Sequence, residues 1–192
     1  MPHVIEPAAS ARAKCRGCGE RIGAGELRFG ESLPNPFAEG ETHHWYHLEC
    51  GAMKRPEPLL EALAEHPEPI PDAERLAALA EGGVEHPRAA RVSGAERDPS
   101  GRAQCRHCRQ KIDKGTWRIG LVFWEEGRFS PAGFIHVPCA GAYFGTTDVV
   151  ARLKRFSPGL TGGGSHLWQL STDSPSCMKN IAALLVLNGG SA

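Results

Sequence analysis

An internal repeat, a duplicated Cys/His pattern and a swing of charge along the chain predict two small α+β modules in tandem, each a short antiparallel sheet plus helices. Residues 12–30 read RAKCRGCGERIGAGELRFG and residues 102–120 read RAQCRHCRQKIDKGTWRIG. Arg12/Arg102, Cys15/Cys105, Cys18/Cys108, Ile22/Ile112, Gly25/Gly115, Arg28/Arg118 and Gly30/Gly120 recur at one offset without a gap. His47-x2-Cys50 and His136-x2-Cys139 follow at nearly the same offset. Self-similarity at a fixed period marks one supersecondary unit used twice.

The elements follow in order. Glu26–Phe29 and Thr116–Ile119 alternate apolar and polar residues at period two, as strands do. Trp45-Tyr46-His47 and Phe134-Ile135-His136 read as return strands. In the first module, 56–65 and 72–81 are rich in helix formers, with Pro56 in a first turn, Asp72 as an N-cap and Gly82 as a stop. Leu59, Leu60, Leu63, Leu76 and Leu79 mark their core faces. The second module offers one helix, about Thr147 to Arg155, stopped by Pro158 and Gly159. The predicted organisation is a first module at 10–82, a flexible Gly/Pro/Ala/Arg-rich linker at 83–100, a second module at 101–160, and a tail at 161–192 to which no role is assigned.

Each module carries Cys-x2-Cys and His-x2-Cys: Cys15, Cys18, His47 and Cys50, then Cys105, Cys108, His136 and Cys139. The spacers are 28 and 27 residues. Disulfide frameworks have no reason to alternate with histidine, whereas zinc favours mixed thiolate and imidazole ligands. The sequence therefore predicts two zinc ions, each in a Cys3His site. Four protein ligands close a tetrahedron and leave no place for a reactive water, which argues for structure rather than an enzyme. Modules this small bury too little apolar area to be secure alone. The remaining cysteine, Cys177, is read as a bystander thiol. No secretory signal opens the chain and no apolar run is long enough for a bilayer, so an intracellular setting is expected.

The spacing excludes neighbouring chemistries. A DNA-reading Cys2His2 finger has only about 12 residues between its ligand pairs. A zinc deaminase needs His-x-Glu followed by Pro-Cys-x2-Cys; His47-Leu-Glu49 supplies the first half, but no Pro-Cys-x2-Cys follows. A nuclease would need an open metal site, and no such cluster stands out. Net charge is zero. Its distribution is uneven: residues 102–160 hold ten Lys or Arg against four acids, +6, while 37–82 sum to −7. That asymmetry suits a footprint for an anion on the second module.

Cys-x2-Cys, a spacer near 28, then His44-Trp-Tyr-His47-Leu-Glu-Cys50, together with Arg12-Ala-Lys-Cys15, Glu26-Leu-Arg28 and Phe37…Gly40, resembles the poly(ADP-ribose) polymerase (PARP)-type zinc finger, also found on a nick-sensing DNA ligase. The resemblance covers about 10–82 well and 100–156 more loosely, because Gly133-Phe134-Ile135-His136 replaces His-Trp-Tyr-His. It implies sequence-independent DNA binding at strand breaks, nicks or ends, and hence work in DNA repair. It implies a nucleoid or cytoplasmic place in a bacterium and a nuclear one in a eukaryote. The ADP-ribosyltransferase domain that often accompanies such fingers is not expected within these 192 residues. By resemblance, Arg12, Arg28, Arg102 and Arg118 contact phosphate, a role that guanidinium forks suit. Phe37 and Phe129, on apolar loops before the histidines, would cap an exposed base pair. Trp45, Tyr46, Trp117 and Phe134 are assigned to cores, and His43 and His44 to the surface or strands. Charge alone then predicts that Arg118→Ala weakens DNA binding more than Arg28→Ala. The alternative reading is a zinc-stapled protein–protein interaction module, favoured by the acidic helices.

Overall fold

The structure is a computed structural model and describes residues 2–35, 37–146 and 149–157. The tail at 161–192 with Cys177, and the expected stop at Pro158 and Gly159, lie outside these residues. The chain divides into two compact units, one running to Arg91 and including Trp124–Phe129, the other made of Val92–Phe123 and the residues from Ser130 onward.

The first unit begins with a three-stranded antiparallel sheet: β1 (Val4–Pro7), β2 (Leu27–Pro34) and β3 (Glu41–His47), with β2 central. Period-two alternation explains its faces. Phe29 pairs with Tyr46, both fully buried, with ring centroids 5.8 Å apart. Arg28, one residue earlier, points to the opposite face with its partner His47. Three helices follow, α1 (Leu48–Lys54), α2 (Pro56–Glu65) and α3 (Ala73–Glu85). Pro56 opens α2, where its missing N–H costs nothing, and Leu59 and Ala62 face the core. α3 buries Leu76, Ala80 and Gly83.

Several expectations change here. Gly82 does not stop α3, which runs on to Glu85 and closes with His86 N–H to Gly82 C=O at 3.1 Å. A glycine inside a helix costs only about 1 kcal/mol, which the buried Leu76–Ala80–Gly83 face outweighs. Asp72 precedes α3, but it sits at φ 56° and its carboxylate caps no amide. The stretch 83–100, expected as a linker, is built into elements: the end of α3, a 3-10 turn at Pro87–Arg91 and the strand β4 (Val92–Arg97). Ala89 and Val92 are buried there, so its small residues serve packing. Likewise β1 begins the first unit upstream of residue 10.

The sheet is repeated with β4, β5 (Trp117–Glu125) and β6 (Arg128–His136), β5 central, all in the second unit except the hairpin end Trp124–Phe129. A two-residue turn, Glu126 (φ 48°) and Gly127 (φ 76°), joins β5 to β6. Left-handed conformation at both turn positions matches the twist of the flanking strands. The region expected as an apolar loop is therefore a hairpin, and Phe129 lies on β6. The short helices α4 (Ala140–Phe144) and α5 (Val150–Phe156) complete the unit. Residues 150–155 of the expected helix fall within α5, and it has no side-chain cap. Ile112, Ile119, Leu121, Ile135, Phe144 and Leu153 form the core together with the buried Cys105 and Cys139.

Candidate metal centres and nucleic-acid interface

Each Cys-x2-Cys pair sits on a tight turn whose backbone bonds are duplicated. Cys15 N–H donates to Glu20 C=O and Gly19 N–H to Cys15 C=O, both 2.8 Å. In the second unit Cys105 N–H donates to Gln110 C=O at 2.8 Å and Arg109 N–H to Cys105 C=O at 2.9 Å. The residue after the second cysteine must be left-handed. Gly19 meets this at φ 79°, but its counterpart is Arg109 at φ 63°. A Cβ there costs about 1–2 kcal/mol, part of which glycine's greater unfolded freedom offsets. Arg109→Gly is therefore expected to raise the stability of the second unit by about 1 kcal/mol. Thermal melts of the zinc-loaded protein check this, and an unchanged or lowered Tm would count against it.

The last residue of the return strand delivers the third ligand, and the turn or helix after it delivers the fourth. His47 Nδ1 lies 3.4 Å from Cys18 Sγ and 3.8 Å from Cys50 Sγ. His136 Nδ1 lies 3.4 Å from Cys108 Sγ and 4.0 Å from Cys139 Sγ. In each set all four ligand atoms fall within 4.8 Å of one another. Metal–ligand bonds of about 2.3 Å to sulfur and 2.0–2.1 Å to nitrogen make tetrahedral edges of roughly 3.5–3.8 Å, so the donor sets fit zinc. The other imidazole nitrogens are tied back: His47 Nε2 to Arg21 C=O at 3.3 Å and His136 Nε2 to Lys111 C=O at 3.1 Å. Such a bond fixes the tautomer that leaves Nδ1 as the ligand. Backbone amides also solvate the sulfurs. Gly17 and His47 N–H donate to Cys15 Sγ at 3.3 and 3.4 Å, and His136 N–H to Cys105 Sγ at 3.4 Å.

The protein atoms alone already favour thiolate at one cysteine per site. The hydrogen bond with Cys50 holds Cys15 down, to about 3, and the hydrogen bond with Cys139 lowers Cys105 likewise. Burial pushes Cys18 the other way. Zinc binding makes all three sulfurs thiolates and releases their protons.

Residues 6–82 match the family described as the poly(ADP-ribose) polymerase and DNA-ligase Zn-finger region. Residues 6–82 are a PARP-type zinc finger. The chain is 32% identical over 143 residues to the poly [ADP-ribose] polymerase of Sarcophaga peregrina, covering 65% of this chain and 14% of that protein. It is 33% identical over 133 residues to poly [ADP-ribose] polymerase 1 of Gallus gallus, covering 62% and 13%. The chain thus spans about one seventh of these relatives' length. The second unit carries the same four ligands in the same order, consistent with a second PARP-type finger.

The two fingers treat their strand arginines differently. In the first, Arg28 lies with Cζ 3.5 Å from the centroid of the Trp45 ring, and one amino nitrogen pairs with Glu6 at 2.6 Å. Its Nε is buried without a partner. Gly30 makes this stack possible, since a Cβ there would stand 2.6 Å from Trp45. In the second, Arg118 lies over Phe134 at 3.5 Å. Its Nε and one amino nitrogen bond Glu96 at 3.0 and 2.5 Å, and the other amino nitrogen bonds the buried Asp98. Backbone N–H groups of Gly101 and Ser100, with Arg118, hold Asp98 below the usual carboxylate range. Trp45, expected in the core, is a half-buried platform for Arg28; Trp117 and Phe134 are half-buried and pack against the second unit's core, Phe134 also carrying Arg118, while Tyr46 is core. Glu6 and Glu96, which sequence reasoning missed, stand at the same 90-residue offset as the repeat, just upstream of where the match is obvious.

Arg12 and Arg102 are exposed, and Arg12 Nε reaches Ser10 Oγ at 3.4 Å. Phe37 is 95% exposed, with its backbone N–H held by Asn35 Oδ1 at 3.0 Å. Phe129 is instead half-buried, tilted against Trp124 at 4.7 Å. His43 and His44 belong to neither ligand set. Among the described residues no helix is long and apolar enough to cross a membrane.

Proposed function

We propose that the chain binds DNA without reading its sequence and prefers strand breaks, nicks or ends, using two structural zinc ions and catalysing no reaction. The observation that carries this is Phe37, a large aromatic ring left almost wholly in water on a turn tied by Asn35. An apolar ring on a zinc-stapled module has an evident use as a platform for an unstacked base face, worth about 1–3 kcal/mol per base. Exposed Arg12, Arg102, Arg106, Arg109, Lys111 and Lys114 supply charge for the phosphates. The two four-ligand sites leave no open metal position, in keeping with a binding rather than a catalytic role. The working place of such a protein is intracellular, at the nucleoid of a bacterium or in the nucleus of a eukaryote, in DNA repair.

The test is a binding series on one duplex made intact, nicked, gapped and blunt-ended, with zinc content measured on the same sample. Interrupted forms are expected to bind more tightly, and affinity to fall steeply with salt. Equal affinity for a closed circle and its nicked form would sink the proposal. The exposed Glu57, Glu61, Glu65, Glu74 and Glu81 on α2 and α3 favour a second reading, a protein-interaction module. That reading wins if the protein ignores all nucleic acid at low salt yet binds a defined protein.

A further inference from the structure

We infer that the power to tell broken from intact DNA resides in the first finger alone, and that the second contributes charge that grips either kind of duplex equally. This rests on the break-binding reading above and assigns it unevenly between two modules that share one ligand set.

The first observation is the tip of each finger. The turn after β2 presents Phe37 at 95% exposure. The hairpin joining β5 and β6 presents Glu125 and Glu126, both exposed, ends in Gly127, and groups with the first unit over Trp124–Phe129 rather than standing as a free tip of the second. Its aromatic Phe129 is turned against Trp124. A base face needs an uncovered apolar surface, and a DNA end is rimmed by phosphates. Two carboxylates at a tip repel those phosphates, and Phe123 on β5, 42% exposed against 95% for Phe37, offers a base a smaller face.

The second observation is the strand arginine. Arg28 is held by one carboxylate, Glu6, whose side chain is 45% exposed, and its Nε lacks an acceptor. Turning to a phosphate would cost it the stack on Trp45 and one ion pair, whose carboxylate water can still solvate, and could satisfy the orphan donor. Arg118 is bound on three nitrogens by Glu96 and Asp98. Leaving them would strand the buried Asp98 carboxylate without its counter-charge. Arg118 is therefore a structural residue, and the order expected from charge alone is reversed: Arg28 matters more for reading the break.

The third observation is what the second finger keeps. Arg102, Arg106, Arg109, Lys111 and Lys114 are exposed, and such side chains bind any phosphate backbone.

The experiment uses the full zinc-loaded chain and a covalently closed dumbbell duplex, with and without one nick, followed by fluorescence anisotropy. The readout is the ratio of the two affinities. Wild type is expected to favour the nicked form. Phe37→Ala should shrink the ratio by roughly 5- to 150-fold, towards one, the equivalent of one lost base–aromatic stack. Phe37→Trp should keep it. Arg102→Ala combined with Lys111→Ala should weaken binding to both DNAs by the same factor and leave the ratio alone. The inference is overturned if Phe37→Ala preserves the ratio, or if the second-finger pair collapses it. A wild type with no preference removes the break-binding reading itself, and this inference with it. Phe37 is almost wholly exposed, so its replacement leaves the fold intact, and an unchanged melt confirms that.

Discussion

A chelator titration is expected to remove two zinc ions per chain and to unfold the second unit before the first. Structural zinc contributes on the order of 10–16 kcal/mol of apparent binding energy near neutral pH, which is comparable to the whole stability of an ordinary domain. The second unit depends on it more. Two ligand cysteines are buried in each unit, Cys15 and Cys50 in the first and Cys105 and Cys139 among Ile112, Ile119 and Ile135 in the second, so the contrast lies in what else each unit buries. The first unit adds α2 and α3, with Leu59, Ala62, Leu76 and Ala80 buried beyond the ligand cluster. Its histidine is also better sealed, since His47 is 8% exposed and His136 is only half-buried. Cys139→Ser should leave one zinc per chain, with amide protection lost from Val92 onward and retained in the first unit. Mass spectrometry under native conditions and hydrogen exchange check this. A Cys139→Ser protein that keeps two ions and full protection would disprove it.

Arg55→Ala is expected to destabilise the first unit by about 3–5 kcal/mol, the cost of stranding a buried charge. Glu31 on β2 is 1% exposed. Arg55, between α1 and α2, grips its carboxylate with Nε at 2.8 and 3.0 Å and an amino nitrogen at 2.5 Å. The Tyr46 hydroxyl, 3.4 Å away, is too distant to replace that grip. The repeat supplies an internal control. The position equivalent to Glu31 is Leu121, buried in the second unit's core. A buried ion pair can often be exchanged for apolar groups without loss, so Glu31→Leu added to Arg55→Ala should recover much of the stability. Chemical denaturation of the zinc-loaded chain measures both variants. If Arg55→Ala melts like wild type, or the double variant is worse than the single, the pair does not do what its geometry implies.

The ligand sets, the tandem sheets and α2 were legible because each carries a dense local signal: fixed Cys/His spacing, period-two alternation, or a proline-led run of helix formers. β1 and β4 were not. Val4-Ile-Glu-Pro7 is four residues long and ends in proline, and Val92-Ser-Gly-Ala-Glu-Arg97 has the composition of a turn. Both are edge strands whose identity comes from pairing with a distant β2 or β5, a tertiary cause that no local window contains. α1 was hidden by Cys50 and its two small neighbours, which pack against Phe29 so closely that a Cβ at Gly51 would come within 2.9 Å of that ring. The strand arginines were found as charged positions of the repeat. Their carboxylate partners were not, because an ion pair across two strands leaves no spacing rule in the sequence.

The missed edge strand decides how this molecule can be dissected. A fragment cut where the repeat first becomes visible, at residue 101, would discard β4 and leave one side of β5 with unanswered backbone groups. The same cut would remove Glu96 and Asp98, so the excised finger would carry Arg118 as a bare cation over Phe134. Such a piece would display a spurious anion-binding site and a sticky sheet margin, and its affinity for DNA would say little about the intact protein. An excision that keeps the sheet whole starts at Val92, and it still parts the hairpin end Trp124–Phe129 from the first unit with which it packs.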